Sequence, residues 1–196
     1  ETINLKILKK IKGQHVVSVN QFDKKLVLEI CKLAALLETA EIAEYHPLDG
    51  KIVITAFFEP STRTRLSFES SVLRLDGKII SISDGNTTGK AKGESMSDIG
   101  EMFNAYGDCV VMRHTATSAV DEIMKNLRIP LINAGNGSGE HPTQSLADWF
   151  AILKWKPELK GDVAEEDKIH LGILGTPGSM RAVNSFLRMS ILFKDA

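Results

Sequence analysis

Hydrophobic residues recur along this chain in two alternating patterns. Apolar positions between 26 and 37 repeat at helical spacing, which predicts a helix over residues 21–43. The continuous apolar run at 51–58 predicts a buried strand, and a helix with Phe68, Val72 and Leu75 on one face follows Pro60 and ends at Gly77. The pattern continues with predicted strands at 78–83, 109–112 and 130–133, and predicted helices over 96–106, over 120–127 and around 146–153.

Strands that alternate with helices predict an α/β fold in which a parallel sheet is flanked by helices on both faces. Ligands of such sheets bind beyond the carboxyl ends of the strands. Four polar segments fall at those ends, at residues 60–65, 84–93, 113–114 and 135–144. Their convergence predicts one binding site at this edge of the sheet.

The pattern changes after residue 154. Residues 154–167 are polar and include Pro157 and Gly161, which predicts a linker. A strand at 170–174 and a helix from about Ser179 are then expected. We therefore divide the chain into a first domain at 1–157 and, at 158–196, a linker with the beginning of a second, incomplete α/β domain. Phe186, Leu187 and Ile191 would then be exposed.

The composition excludes several classes of protein. Of the 196 residues, 43% are hydrophobic, which suits one medium domain with part of another, and the net charge of −1 gives no global field for nucleic acid or anionic lipid. There is no membrane-spanning apolar run and no signal peptide at the start. Cys31 and Cys109 lie in apolar stretches, as buried thiols do, and the five histidines lack zinc-ligand spacing. These features predict a reduced, cytoplasmic setting without a metal site.

The strongest candidate for chemistry is the segment Phe58-Glu-Pro-Ser-Thr-Arg-Thr-Arg65, where a strand turns into a helix. Free backbone N–H groups at a helix N-terminus bind phosphate, and nearby hydroxyl and guanidinium groups add donors. An ordinary helix cap with exposed arginines is the alternative interpretation. Five consecutive polar donors after a buried strand favour the phosphate site.

This segment resembles the carbamoyl-phosphate signature of the aspartate and ornithine carbamoyltransferases. Three further segments resemble the family in the same order: Met112-Arg-His114, Asn133-Ala-Gly135 and His141-Pro-Thr-Gln144. The resemblance runs from about Val17 to the end of the chain. It implies a domain that binds carbamoyl phosphate and needs neither metal nor cofactor.

The loop at 84–94 resembles the lysine-bearing loop of the aspartate branch of the family. In that branch a hydroxyl and a lysine reach into the site of a neighbouring subunit, and Thr88 and Lys92 match them. A solvated loop that carries lysines is the alternative interpretation. A P-loop is excluded because only three residues separate Gly85 from Gly89, and Ala91 stands where Ser or Thr must bind magnesium.

The resemblance also implies a role for each candidate residue. The catalytic residues would be Arg63, Thr64, Arg113 and His141. Carbamoyl phosphate would be bound by Ser61, Thr62, Arg63, Thr64, Arg113, His141 and Gln144. A neighbouring subunit would supply Thr88 and Lys92, and aspartate would be bound by Lys92 and Arg181. A neutral His141 would donate to the developing oxyanion, and the Gln144 carbonyl would accept from the carbamoyl NH2. Taken singly, His141 and Gln144 are also explained by hydrogen bonding at the start of a helix.

The reaction implied is attack of the aspartate amine on carbamoyl phosphate, giving N-carbamoyl-L-aspartate and phosphate in pyrimidine biosynthesis. The family further implies a homotrimer with shared active sites, with or without regulatory chains. Two alternatives stay open. One is an ornithine-type carbamoyltransferase, and the other is a non-catalytic phosphate-binding or regulatory domain.

Overall fold

A computed structural model of the chain describes residues 2–39, 46–85, 88–176 and 178–195. Its strands form one parallel sheet in the order β2-β1-β3-β4. The strands are β1 (Ile52–Phe57), β2 (Lys78–Ile82), β3 (Cys109–His114) and β4 (Leu131–Asn136), and the helices are α1 (Leu5–Leu8), α2 (Lys24–Thr39), α3 (Thr62–Arg74), α4 (Met96–Tyr106), α5 (Ala119–Met124), α6 (Pro142–Trp155) and α7 (Arg181–Ser190). The predicted parallel sheet flanked by helices is confirmed.

Helices cover both faces of the sheet. On one face Ile54 and Met112 pack with Ile99 of α4 and Ile123 of α5, and on the other face Val72 of α3 packs with the sheet. At the far edge, Val16 forms a parallel bridge to Ile132 of β4. The segment before α2 therefore extends the sheet beyond β4.

Two strands run further than their apolar pattern predicts. β3 continues through Arg113 to His114, and β4 continues to Asn136, which pairs with His114. Hydrophobic periodicity misses Arg113, His114 and Asn136 because their side chains are polar. The extension brings the backbone of Arg113 into the sheet opposite Phe57.

The end of α3 differs in detail from the prediction that Gly77 stops it. Asp76 adopts the left-handed conformation, with φ of 65°. The N–H of Gly77 donates to the Val72 carbonyl at 2.9 Å and that of Asp76 to the Leu73 carbonyl at 3.2 Å, which makes a Schellman motif. Gly77 is needed for close packing, because a Cβ there would lie 2.7 Å from Val72. The predicted end of α2 at residue 43 falls outside the described residues.

The strand predicted at 170–174 is wrong. These residues have no strand pairing with any described residue, and Leu174 is 98% exposed. An apolar run adopts a stable strand only when a neighbouring strand satisfies its backbone. The preceding polar segment is not uniformly solvated either, because it contains two 3-10 turns, Pro157–Lys160 and Glu165–Asp167, and Leu159 is buried.

The last helix packs on the rest of the chain. Trp149 of α6 stacks on Phe193, which follows α7, with ring centroids 3.9 Å apart. Leu187 and Ile191 are exposed as predicted, whereas the prediction for Phe186 is wrong because it is half-buried beside Trp149. No helix in the described part of the chain is long and apolar enough to cross a membrane. The division into domains at residue 157 stays a prediction.

Candidate active site

A cleft of about 1120 Å³ opens at the carboxyl ends of β1, β3 and β4. It brings together the predicted residues Ser61, Thr62, Arg63, Thr64, Arg113, His141, Gln144 and Arg181. Pro60, Ser67, Phe68 and Thr143 contribute to its walls. Segments that lie far apart in the sequence thus meet where the topology of the sheet predicts a ligand.

The N-terminus of α3 forms one wall of the cleft. Ser61 is the N-cap residue in an extended conformation, with φ of −161°, but its side chain makes no capping hydrogen bond. The amides of the first turn are therefore not satisfied by Ser61, in contrast to an ordinary Ser or Thr cap. Thr62 and Arg63 are exposed here, and Thr64 is half-buried. This geometry favours an anion at the start of α3.

Arg113 enters the cleft from the end of β3. Its Nη2 donates to Glu59 Oε1 at 2.8 Å, and its Nη1 donates to the Ala134 carbonyl at 3.4 Å. Its Nε is buried and has no hydrogen-bond partner among the described residues. Buried donors are rarely left unpaired, and such exceptions in proteins call for a structural or functional explanation.

Glu59 organises the arginines of the cleft, a role that sequence reasoning did not assign to it. Arg181 donates to both oxygens of its carboxylate, and Arg113 donates to one. Burial alone would raise the pKa of the Glu59 carboxyl, but the bonds from Arg181 and Arg113 outweigh it and hold the pKa below its usual range. The carboxylate is therefore ionised and compensates two cations. The only sequence signal for it was its place immediately before Pro60.

Arg181 lies in the cleft because the chain around β4 leaves space for it. Its Nη1 also donates to the Gly137 carbonyl at 2.8 Å. Gly135 has φ of +111°, and a Cβ at this position would lie 2.8 Å from the Arg181 Nε. A glycine is therefore required at position 135 both for its backbone and for the packing of Arg181.

His141 is the N-cap residue of α6 and is 6% exposed. Burial lowers the pKa of His141 to about 4, and the positive charges of Arg113 and Arg181 act in the same direction. The negative charge of Glu59 opposes them but is the smallest of these effects. The ring is therefore neutral at neutral pH. The Thr143 hydroxyl lies 3.3 Å from Nδ1, and if it donates there the ring proton sits on Nε2, as an oxyanion donor requires.

Gln144 lies one turn further along α6. Its Nε2 donates to Asp148 Oδ1 at 2.9 Å. This bond uses the amide nitrogen and leaves the carbonyl oxygen as an acceptor. The arrangement suits the acceptor role that the sequence assigned to it.

Thr88 and Lys92 do not reach this cleft. Thr88 donates its hydroxyl to the Gly85 carbonyl at 2.7 Å and lines a separate cavity of about 460 Å³ beside α4. Lys92 is exposed in the 3-10 turn Gly89–Lys92. Within a single chain these two residues are thus outside the site.

Comparison with known proteins gives consistent matches. Residues 14–154 match the model of the aspartate/ornithine carbamoyltransferase carbamoyl-P binding domain. The aspartate carbamoyltransferase catalytic subunit of Thermococcus kodakarensis is 40% identical over 187 residues, which cover 94% of this chain and 57% of that protein. The corresponding subunit of Methanocaldococcus jannaschii is 36% identical over 93% of this chain and 58% of its own length.

Solved structures agree with this match. Aspartate transcarbamoylase from Trypanosoma cruzi in complex with N-(phosphonacetyl)-L-aspartic acid superimposes with a TM-score of 0.82 at 31% identity, over 90% of this chain and 53% of that one. The same enzyme with carbamoyl aspartate and phosphate gives a TM-score of 0.79 at 32% identity, over 90% and 53% of the two chains. The present chain thus spans a little over half the length of these relatives.

Proposed function

This chain belongs to the aspartate/ornithine carbamoyltransferase family, and we propose that its cleft binds carbamoyl phosphate for transfer of the carbamoyl group to L-aspartate. The observation that carries the proposal is the start of α3, where amides without a Ser61 cap lie in one cleft with Arg113 and a neutral His141. The T. cruzi relative was solved with carbamoyl phosphate and aspartate together. That precedent supports the same substrates here.

The phosphate group would lie at the N-terminus of α3. The first-turn amides, the hydroxyls of Ser61, Thr62 and Thr64, and the guanidinium of Arg63 supply donors there. Arg113 would contribute its guanidinium from the opposite wall. The net charge of the whole chain is −1, so the attraction for the dianion is local to the cleft.

The carbamoyl group would be activated at the inner end of the cleft. The uncharged amine of aspartate attacks the carbamoyl carbon, a tetrahedral oxyanion forms, and the C–O bond to phosphate breaks while the amine gives up one proton, which leaves with the phosphate. Thr64, Arg113 and the neutral His141 ring stabilise the oxyanion, and Gln144 accepts from the carbamoyl NH2. The site holds carbamoyl phosphate and aspartate in a reactive orientation, although the two anions repel each other in water. This orientation accounts for much of the rate enhancement.

Aspartate would be bound by Arg181 from the same chain and Lys92 from a neighbour. Arg181 binds the Glu59 carboxylate with both terminal nitrogens, so aspartate would share this guanidinium with Glu59 or displace Glu59 from it. A polypeptide of these 196 residues alone is expected to bind carbamoyl phosphate without aspartate-dependent turnover, because Arg181 cannot by itself orient two carboxylates.

We also propose that the complete protein is a homotrimer in which Thr88 and Lys92 enter the cleft of the next subunit. Exposed apolar side chains lie along the outer strand β2 and on the helices beside it, each 40–63% exposed: Leu66, Leu73, Ile80, Met102 and Tyr106. Exposed apolar side chains around a sheet edge suit a protein–protein interface. This function implies that the protein is a cytoplasmic enzyme of pyrimidine biosynthesis.

The test is a product assay on the complete protein with carbamoyl phosphate and either L-aspartate or L-ornithine. We expect N-carbamoyl-L-aspartate and phosphate in equal amounts. Product with ornithine alone would assign an ornithine-type enzyme. Binding of carbamoyl phosphate without turnover of either amine would identify a non-catalytic phosphate-binding domain.

A further inference from the structure

Glu140, the residue immediately before His141, binds a distant part of the chain. Its Oε1 accepts the Ser18 hydroxyl at 2.8 Å, and its Oε2 accepts the Val19 amide at 2.7 Å. These partners lie 122 and 121 residues earlier in the sequence. The side chain is only 17% exposed, so the two bonds are largely shielded from water.

The segment that supplies these donors is itself fixed. Gln21 Oε1 accepts the amides of Val17 at 2.7 Å and Ser18 at 2.9 Å, closing a capping box around the 3-10 turn Val19–Gln21. Val19 is buried in the core formed with α6 and α7. The Glu140 carboxylate is therefore bound to a turn that is itself held by hydrogen bonds and by burial.

The backbone of Glu140 is held as well. Its amide donates to Asn136 Oδ1 at 3.0 Å, and its carbonyl accepts from Asn133 Nδ2 at 3.4 Å. The same Asn133 nitrogen donates to the Val17 carbonyl at 3.1 Å. The end of β4, the N-terminal segment and the residue before His141 thus form one network.

A second cation contributes less to this network. Arg188 lies 3.5 Å from Glu140 Oε1, and its side chain is 52% exposed. Exposed pairs at this distance add little stability. The bonds to Ser18 and Val19 therefore account for the position of the carboxylate.

We propose that Glu140 is a positioning residue for His141, which it holds in the cleft through the Ser18–Val19 turn. The backbone leads directly from Glu140 to His141, whose own amide donates to Ser185 Oγ at 2.8 Å, so loss of the two side-chain bonds would loosen the N-terminus of α6 on the side of the Ser18–Val19 turn. The phosphate-binding start of α3 shares none of these contacts. A change at Glu140 can therefore displace His141 without affecting phosphate binding. Only the predicted effect on turnover rests on the proposed function.

The test compares Glu140→Ala with Glu140→Gln and with a control, Glu165→Ala. The Gln side chain can accept from the Val19 amide and donate to the Ser18 hydroxyl, so it preserves both bonds. Glu165 also carries an ion pair, but its side chain is 85% exposed and does not line the cleft. Folding of every variant is verified by amide NMR spectra before any comparison.

The first readout is the ring titration of His141 by NMR, which depends on its burial between Arg113, Arg181 and Glu59. In Glu140→Ala the His141 pKa should rise toward the usual value by about one unit or more. Glu140→Gln and Glu165→Ala should leave it at the wild-type value. The Kd for inorganic phosphate should change less than about twofold in all three.

The second readout is turnover by the complete protein, where Glu140→Ala should lower kcat at least about tenfold with little change in the KM for carbamoyl phosphate. An unchanged His141 titration in a folded Glu140→Ala protein would overturn the positioning role, whatever the reaction. Equal defects in the Ala and Gln variants would overturn it too. Absence of phosphate binding in the wild type would instead refute the proposed function and leave the titration result standing.

Discussion

Glu59 and Arg181 are joined by two hydrogen bonds, 2.7 Å and 3.0 Å long, across 122 residues of sequence. The pair connects the turn before α3 to the first residue of α7. It places a carboxylate on the arginine that we assign to aspartate. The same carboxylate binds Arg113, so one acidic side chain holds both arginines in the cleft before any anionic substrate arrives.

Removal of the Glu59 carboxylate should destabilise the fold. Glu59→Ala leaves Arg113 and Arg181 largely buried without their partner, which should lower the free energy of unfolding by about 1–3 kcal/mol. Urea denaturation at neutral pH measures this change. Glu165→Ala, which removes an exposed pair, should change the free energy by less than about 0.5 kcal/mol. Equal effects of the two substitutions would contradict the bridging role.

The fold should lose stability as the pH falls through two windows. The unfolded chain protonates His141 near its usual pKa of 6.5, whereas the folded chain does so only near 4, so acidification through this range favours unfolding. The contribution is up to about 3 kcal/mol. The pKa of Glu59 is lowered in the folded chain, so protonation of this carboxylate also costs folding stability. That loss of stability begins near the ordinary carboxyl pKa and continues as the pH falls below it.

His141→Gln isolates the upper window, because the variant has no imidazole to protonate. Its free energy of unfolding, measured by urea denaturation at successive pH values, should fall less steeply between about pH 6.5 and 4.5 than that of the wild type. A slope that matches the wild type would show that the His141 ring is not held neutral by burial.

Arg63 should contribute to affinity without contributing to stability. It is exposed in the cleft, so Arg63→Ala should leave the unfolding temperature unchanged. Loss of a charged, bidentate donor should weaken carbamoyl phosphate binding by about tenfold to a hundredfold. Arg74→Ala, at the other end of the same helix, is the control and should bind normally. Normal affinity of a folded Arg63→Ala protein would remove Arg63 from the site.

Sharing of sites between subunits predicts complementation. In the complete protein, Lys92→Ala and Arg63→Ala should each be inactive alone. Mixed oligomers would form some interfaces that carry neither substitution, so activity should return after subunit exchange. A Lys125→Ala protein, altered at an exposed lysine after α5, should be active alone. Verified exchange without recovery would indicate that each site is built from a single chain.

Hydrophobic periodicity predicted the sheet because buried parallel strands and their helices are patterned by apolar residues. It also predicted the site, because the carboxyl ends of parallel strands meet at one edge. The convergence of Ser61, Arg113 and His141 therefore follows from the sequence pattern. The strand predicted at 170–174 failed because a local apolar run does not specify whether a partner strand lies beside it.

Long-range polar contacts were beyond the reach of the sequence. Glu59 and Glu140 each bind partners more than 100 residues away in sequence, and no local spacing marks such pairs. Sequence patterns report burial and local turns, whereas these residues are defined by tertiary geometry.

Carbamoyl phosphate binding at the start of α3 underlies the proposed activity. Its most direct test is a 15N NMR titration of the 196-residue chain with carbamoyl phosphate, followed by displacement with inorganic phosphate. We predict saturable shifts that are largest at the amides of Thr62, Arg63 and Thr64, with smaller shifts at the Arg113 side chain and His141. No saturable shift, or shifts centred elsewhere in the fold, would contradict the account.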